Sequence, residues 1–200
     1  MKITAIKAQV KNPERLSVYV DEKFAFSLNY MQLLDEKLHA GLNIDEARLA
    51  TLKHLSDFGK AYERALMFAM IRPRSVQEMH DYARRKKWAP EDAEAIVDKL
   101  LAKKYLDDRR FARAWIENRA LGKKTSQRKL RLELKQKGVS ESIITEVLQQ
   151  ANYSDTVALK QLIVKKRKLV RYAQDEQKLV QYLARLGFGF DDIKNALQDE

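Results

Sequence analysis

The residues best able to do chemistry are few. His39, His54 and His80 are the chain's imidazoles, and no cysteine accompanies them. Without cysteine there is no disulfide, thiolate metal site or thiol nucleophile. The histidines fall in separate helical stretches at no metal-ligand spacing, so surface or boundary positions are expected for them. Two acidic pairs, Asp107-Asp108 and Asp191-Asp192, could be imagined as acid–base partners. Neighbours on a helix diverge by about 100°, and both pairs stand where helices should begin, so they read as caps. Gly187-Phe188-Gly189 lacks the lysine and the strand of a phosphate loop. No catalytic constellation, metal site or cofactor motif emerges, and the expectation is a binding protein rather than an enzyme.

The cations are the sharper signal. The chain carries 39 Lys+Arg against 28 Asp+Glu, a net charge of +11. Residues 109–153 hold eleven of the basic residues and only four of the acidic ones, so +7 of the excess lies in that block. Arg128, Arg131 and Lys135 fall at i, i+3 and i+7 on one helix face, with Lys124 extending it and Leu130 and Leu134 turned away. A second cluster is Lys165, Lys166, Arg167 and Lys168 with Arg171, and a third is Arg84, Arg85 and Lys86, followed by Lys87. Any one cluster reads as a solvated helix face. Three of them, in what read as equivalent settings, point to a positively charged track for a polyanion, either nucleic acid or an acidic protein surface.

The elements that must position these charges are mostly helical. Three prolines and six glycines in 200 residues leave room for long regular segments. Residues 1–28 are the exception and read as three short strands, alternating through Ile6, Ala8 and Val10, then Leu16, Val18 and Val20, then Phe24, Phe26 and Leu28. Such a meander is too small to stand alone and needs helices to cover it. Asn29 is placed to cap a helix running to about His39, and Asn43-Ile44-Asp45-Glu46 to open the next.

From about residue 60 the chain repeats. Met79, Leu130 and Leu179 align, as do Ala83, Leu134 and Leu183, then Trp88, Val139 and Phe188. Ala93, Ile144 and Ile193 continue the series, followed by Val97, Leu148 and Leu197. Spacings of 51 and then 49 residues mark stacked three-helix units. The first unit reads as helices over about 61–71 and 76–87, with Ser75 to Glu78 as a capping box, and a third from Pro90. The second starts at Asp108 and breaks at Gly122 and Gly138; the third opens at Ser154-Asp155 with one long helix to about residue 173. Lys87 stands where the other units have glycine, so either the helix end there is capped differently or Lys87 takes a left-handed torsion at a cost of about 1 kcal/mol. Boundaries at 58/59, 107/108 and 153/154 follow: a strand-rich segment, then three helical repeats, the second the most basic. The expected whole is a mainly α, elongated and curved molecule.

The junction between the first two repeats reads Tyr105-Leu106-Asp107-Asp108-Arg109-Arg110-Phe111-Ala112. An aspartate there suits an N-cap, and Phe111, one turn in, is placed to pack back on Tyr105 or Leu106. Tyr105, Phe111, Trp88 and Trp115 all read as core. This run, with Arg72-Pro73-Arg74-Ser75 upstream, resembles the paired signature segments of the RecX family of bacterial RecA regulators. The likeness covers roughly residues 60–150.

The resemblance implies a regulator that binds the RecA recombinase and RecA–single-stranded-DNA filaments, limiting ATPase, strand-exchange and coprotease activity. That would place the protein in homologous recombination, DNA repair and the SOS response, as a monomer with weak DNA binding of its own. A helical-repeat protein acting directly on DNA or RNA is the rival reading, and a scaffold with incidental charge a third. No apolar run approaches bilayer-spanning length and no signal pattern opens the chain, so a cytoplasmic, membrane-free location is expected.

Overall fold

The computed structural model describes residues 1–10, 12–122 and 124–198. These form three strands, β1 (Ile3–Ala8), β2 (Arg15–Val20) and β3 (Lys23–Asn29), and eleven helices. The helices are α1 (Tyr30–Asp35), α2 (Glu46–Ile71), α3 (Val76–Arg85), α4 (Pro90–Ala102), α5 (Asp108–Leu121) and α6 (Gln127–Gln136). They continue as α7 (Glu141–Gln150), α8 (Asp155–Arg167), α9 (Val170–Ala173), α10 (Glu176–Arg185) and α11 (Phe190–Gln198). The fold is therefore mainly α with a small N-terminal sheet. Two compact units contain these elements: Met1–Phe68 with Trp88–Ile96, and Ala69–Lys87 with the chain from Val97 on.

In the first unit the strands form an antiparallel meander in the order β1-β2-β3. Ile3, Val18, Val20, Phe26 and Leu28 join Leu33, Ile44 and Leu52 from the following segments in one core. Strict alternation fails at both ends of the expected pattern. Val10 lies outside β1 and is fully exposed, and Phe24 is exposed while Phe26 and Leu28 are buried. The register shifts between Val18 and Tyr19, opposite Phe26 and Phe24, and such a bulge turns the residues beyond it to a new direction. Arg15 anchors the sheet to α2: its Nη2 donates to the Ser27 carbonyl at 2.7 Å and its Nη1 to Glu63 at 2.6 Å.

Asn29 caps α1 with a full capping box through Gln32, but the helix ends at Asp35 rather than near His39. The next helix is capped by Asp45, whose Oδ1 accepts from Arg48 N at 2.7 Å. It then runs 26 residues as α2, so the helix expected to open at 43–46 and the one expected over about 61–71 are a single continuous helix. Residues 46–61 hold no proline, and Gly59 lies in mid-helix, where one glycine costs only about 1 kcal/mol.

The second unit shows why its sequence repeats. Met79, Leu130 and Leu179 are all buried, and so are Ala83, Leu134 and Leu183. Phe111, Ala112 and Ile116 of α5 share a core with Leu130, Leu134, Val139, Ile144, Val147 and Leu148. Leu159, Leu162 and Ile163 of α8 do the same with Tyr172, Leu179, Leu183, Phe188 and Ile193. The long helix expected to about residue 173 is divided: α8 ends at Arg167, Lys168 caps it, and α9 restarts after Leu169.

Each repeat is locked to the next by the same two devices. Asp108 Oδ1 accepts from Val76 N at 2.9 Å, covering an orphan donor at the start of α3. Asp155 Oδ1 accepts from Gln127 N at 2.7 Å, at the start of α6. The glycines ending α6 and α10 provide the second device. Gly138 and Gly187 have φ of +77° and +93°, and a Cβ on either would meet Gln77 Cβ at 2.5 Å or Ser126 Oγ at 2.4 Å. Lys87 indeed adopts φ +57° and is exposed, so its side chain meets water where the glycines meet a neighbouring helix start.

Candidate partner-binding surface

Arg72, Pro73, Arg74 and Ser75 form the turn into α3. Ser75 is fully buried and its Oγ accepts from Glu78 N at 3.1 Å. Only half of the expected capping box is made, because the Glu78 carboxylate points elsewhere. It accepts from Arg72 at 2.9 and 3.1 Å and from Lys137 Nζ at 3.1 Å. Burial pushes this carboxyl up, but the hydrogen bonds and charges of Arg72 and Lys137 outweigh it and hold it below the usual carboxylate range. Arg74 is half-buried; burial, with Arg72 alongside, lowers its guanidinium below the ordinary value.

At the second motif the two aspartates do different work. Asp107 caps α5, accepting from Arg109 N and Arg110 N at 2.8 and 3.1 Å. Asp108 instead bonds Val76 N across the repeat junction, and its carboxyl is raised by burial with Asp107 adding to the rise. Leu106 and Phe111 are buried. Tyr105 is 39% exposed, so it is not the core residue its type suggested; Lys104 before it has φ +58°, which takes the chain out of α4 by another direction.

Trp115 also departs from a pure core role. It tilts against Phe111 with ring centroids 5.7 Å apart, and its Nε1 donates to Glu133 at 2.9 Å. Arg119 Nε donates to the same carboxylate at 3.0 Å. The Arg119 guanidinium and Lys137 Nζ lie over the indole at 5.3 and 5.6 Å. Arg119, Glu133 and Lys137 were not singled out from sequence, and Trp115 was read only as core. The available signal was the i, i+4 spacing of Trp115 with Arg119 and of Glu133 with Lys137.

The three basic clusters occupy different settings, not equivalent ones. Arg84, Arg85 and Lys86 are exposed at the end of α3, Arg84 facing Asp81 at 3.5 Å and Lys86 lying 5.6 Å from the Tyr82 ring centre. The α6 face is partly neutralised: Arg131 donates to Glu141 at 2.6 Å and Lys135 pairs with the same residue at 2.8 Å. The Lys135 hydrogen bond, with that of Arg131, lowers the Glu141 carboxyl. Arg128 is exposed, and among the described residues no carboxylate pairs with it. Lys124 donates to the Ala120 carbonyl at 2.7 Å, closing the end of α5. The third cluster ends α8 and enters α9. There Lys166 lies 4.6 Å from the Tyr182 ring centre, Arg171 lies 4.7 Å from that of Tyr172, and Arg167 faces Glu176 at 3.7 Å. Lys165 and Lys168 stay exposed.

No group of three or more His, Cys, Asp or Glu among the described residues could hold a metal ion. None of the described helices is long and apolar enough to cross a membrane.

A sheet-bearing leader followed by three-helix units, joined through an aspartate and a glycine, defines a tandem helical-repeat protein. Residues 1–45 match the regulatory protein RecX N-terminal domain, 61–100 the first RecX three-helix domain and 107–148 the second. The regulatory protein RecX of Bacillus licheniformis is 35% identical over 201 residues, covering 98% of this chain and 76% of that one. Its counterpart in Bacillus subtilis is 30% identical over 199 residues, with 98% and 75% covered. A crystal structure of regulatory protein RecX superposes with a TM-score of 0.78 at 27% identity, across 100% of this chain and 99% of the other. RecX from Lactobacillus salivarius shares the fold, with a TM-score of 0.60 at 23% identity over 72% of this chain and 96% of that one. The chain belongs to the RecX family of regulatory proteins.

Proposed function

We propose that this protein binds RecA and RecA–single-stranded-DNA filaments and restrains recombinase, ATPase and coprotease activity. Family membership supports the partner, and the observation that carries the mode of binding is the +7 charge of residues 109–153. Long-range attraction would bring this block to an anionic filament, and close contacts would then set register. Within it, the exposed α6 face of Arg128, Arg131 and Lys135 is the proposed contact, with Lys124 at its edge. Arg84, Arg85 and Lys86, and Lys165, Lys166, Arg167, Lys168 and Arg171, are secondary contacts in this reading. Arg72, Pro73, Arg74, Ser75, Leu106, Asp107, Asp108 and Phe111 act by holding the repeats in place.

The test replaces Arg128, Arg131 and Lys135 together with Gln, which removes charge without setting new carboxylates against Glu141. The triple variant is expected to fold, since surface changes cost little, and to lose affinity for RecA–DNA filaments together with inhibition of RecA's ATP hydrolysis. A folded variant that inhibits as well as the parent would show that this face is only solvated. Loss of bare-DNA binding with filament inhibition intact would assign the face to DNA and the regulatory contact to another surface.

A further inference from the structure

A groove of about 450 Å³ runs between the Arg72–Pro73 turn and α5, floored by Phe111, Ala114 and Trp115 and flanked by Arg72, Asn118 and Arg119. It is separate from the proposed filament-binding face. Glu133 and Lys137, which hold Trp115, are two residues on from Arg131 and Lys135 and so point about 200° away round α6. Its size is that of a site for a small ligand or a few residues of peptide.

We infer that this groove is a docking site for a short acidic protein segment carrying one large apolar side chain. The charge arrangement favours that occupant. Arg72, Arg119 and Lys137 bring three positive charges and Glu78 and Glu133 two negative ones. The carboxylates are 11% and 17% exposed, whereas Arg72, Lys137 and Arg119 are 44%, 36% and 28% exposed, so each cation is more open to solvent than the anion it covers. The net +1 suits one or two carboxylates beside an apolar side chain. A run of phosphates would meet too little charge. Nor is the indole offered to a base, because Arg119 and Lys137 already lie over its ring; stacked bases need that face clear. Exposed Ile71 and Leu121, next in sequence to groove residues Arg72 and Gly122, extend the apolar surface for the segment's flanks.

The test is isothermal titration of the full chain with an acetylated peptide of aspartate and glutamate carrying one central phenylalanine. Saturable one-to-one binding is expected, weakened about tenfold or more when alanine replaces the phenylalanine. Ala114→Phe, which fills the groove, and Arg119→Gln, which removes a flanking cation, are each expected to weaken it similarly. Thermal unfolding confirms that each variant is folded, and Leu121→Glu at the exposed rim, which removes apolar surface and repels an acidic segment, supplies a third variant that leaves the core untouched and is expected to weaken binding. The α6 triple variant should bind the peptide normally, so failure here is distinct from failure of the RecA reading. Absence of binding, affinity unchanged across the folded groove variants, or displacement of the peptide by oligothymidylate would overturn the proposal.

Discussion

Single side chains make opposite contributions as pH changes. Glu78 has its carboxyl lowered by Arg72 and Lys137, so its contribution is present above the unfolded value and is lost as pH falls through the folded one. Asp108 and Asp155 are raised by burial, with Val76 and Gln127 N–H groups only partly offsetting it. Their contribution is full below the unfolded value of 3.8 and lost as pH rises through the raised one. Asp108→Asn with Asp155→Asn keeps an acceptor oxygen without the charge. Thermal unfolding is therefore expected to show this variant gaining on the parent as pH rises from the unfolded value through the raised one; a parallel profile would show that neither carboxylate is strained by burial. Glu78→Gln should cost about 1–2 kcal/mol at neutral pH, the low end for charge-assisted bonds because Arg72 and Lys137 can turn to water. The caps at Ser75 and Asp107 could be read from residue type alone. That Glu78 would leave its capping box for Lys137, 59 residues away, could not, since helix periodicity carries no information about partners so distant.

The helices are held in register by backbone conformation as much as by apolar burial. Gly138→Ala and Gly187→Ala each combine left-handed strain of about 1–2 kcal/mol with a collision against the neighbouring repeat. Gly41 is a control, with φ +94° but nothing within 4 Å of an added Cβ, so Gly41→Ala should show the strain alone. Denaturant midpoints should fall clearly further for the first two; equal falls in all three would mean the repeats part easily. Phe111→Ala should cost about 3–5 kcal/mol and Tyr105→Ala little, in keeping with their burial. The repeat itself was legible because buried positions recur at fixed spacing. The break after Arg167 was not, as Lys168 and Leu169 are acceptable helix residues; beyond it Tyr172 packs against Tyr182 of α10 with ring centroids 5.5 Å apart, a contact helix propensity does not announce. The junction before α8, Asn152-Tyr153-Ser154-Asp155, has neither the second aspartate nor the Arg-Phe pair of the junction before α5. Asp155 alone reproduces the bond that Asp108 makes.

Across the chain the dominant feature is charge, and its consequences are electrostatic. Glu141 ties up Arg131 and Lys135, so Glu141→Gln should release both cations and strengthen binding to an anionic partner. A merely structural Glu141 would instead leave binding unchanged or weaker. Each phosphate neutralised contributes about −0.9 to the slope of log affinity against log salt on duplex and about −0.7 on single strands. The α6 triple variant should accordingly show a shallower slope than the parent. The basic block was legible from composition; its partial neutralisation was not, because Glu141 lies ten residues from Arg131 on a different helix. The deciding measurement is affinity for RecA-coated single-stranded DNA against the same DNA bare, at one salt concentration. Markedly tighter binding to the coated strand, weakened in the α6 triple variant and strengthened by Glu141→Gln, is the expected result. Equal affinity for bare and coated strands, or no binding to either, would contradict a filament-directed regulator.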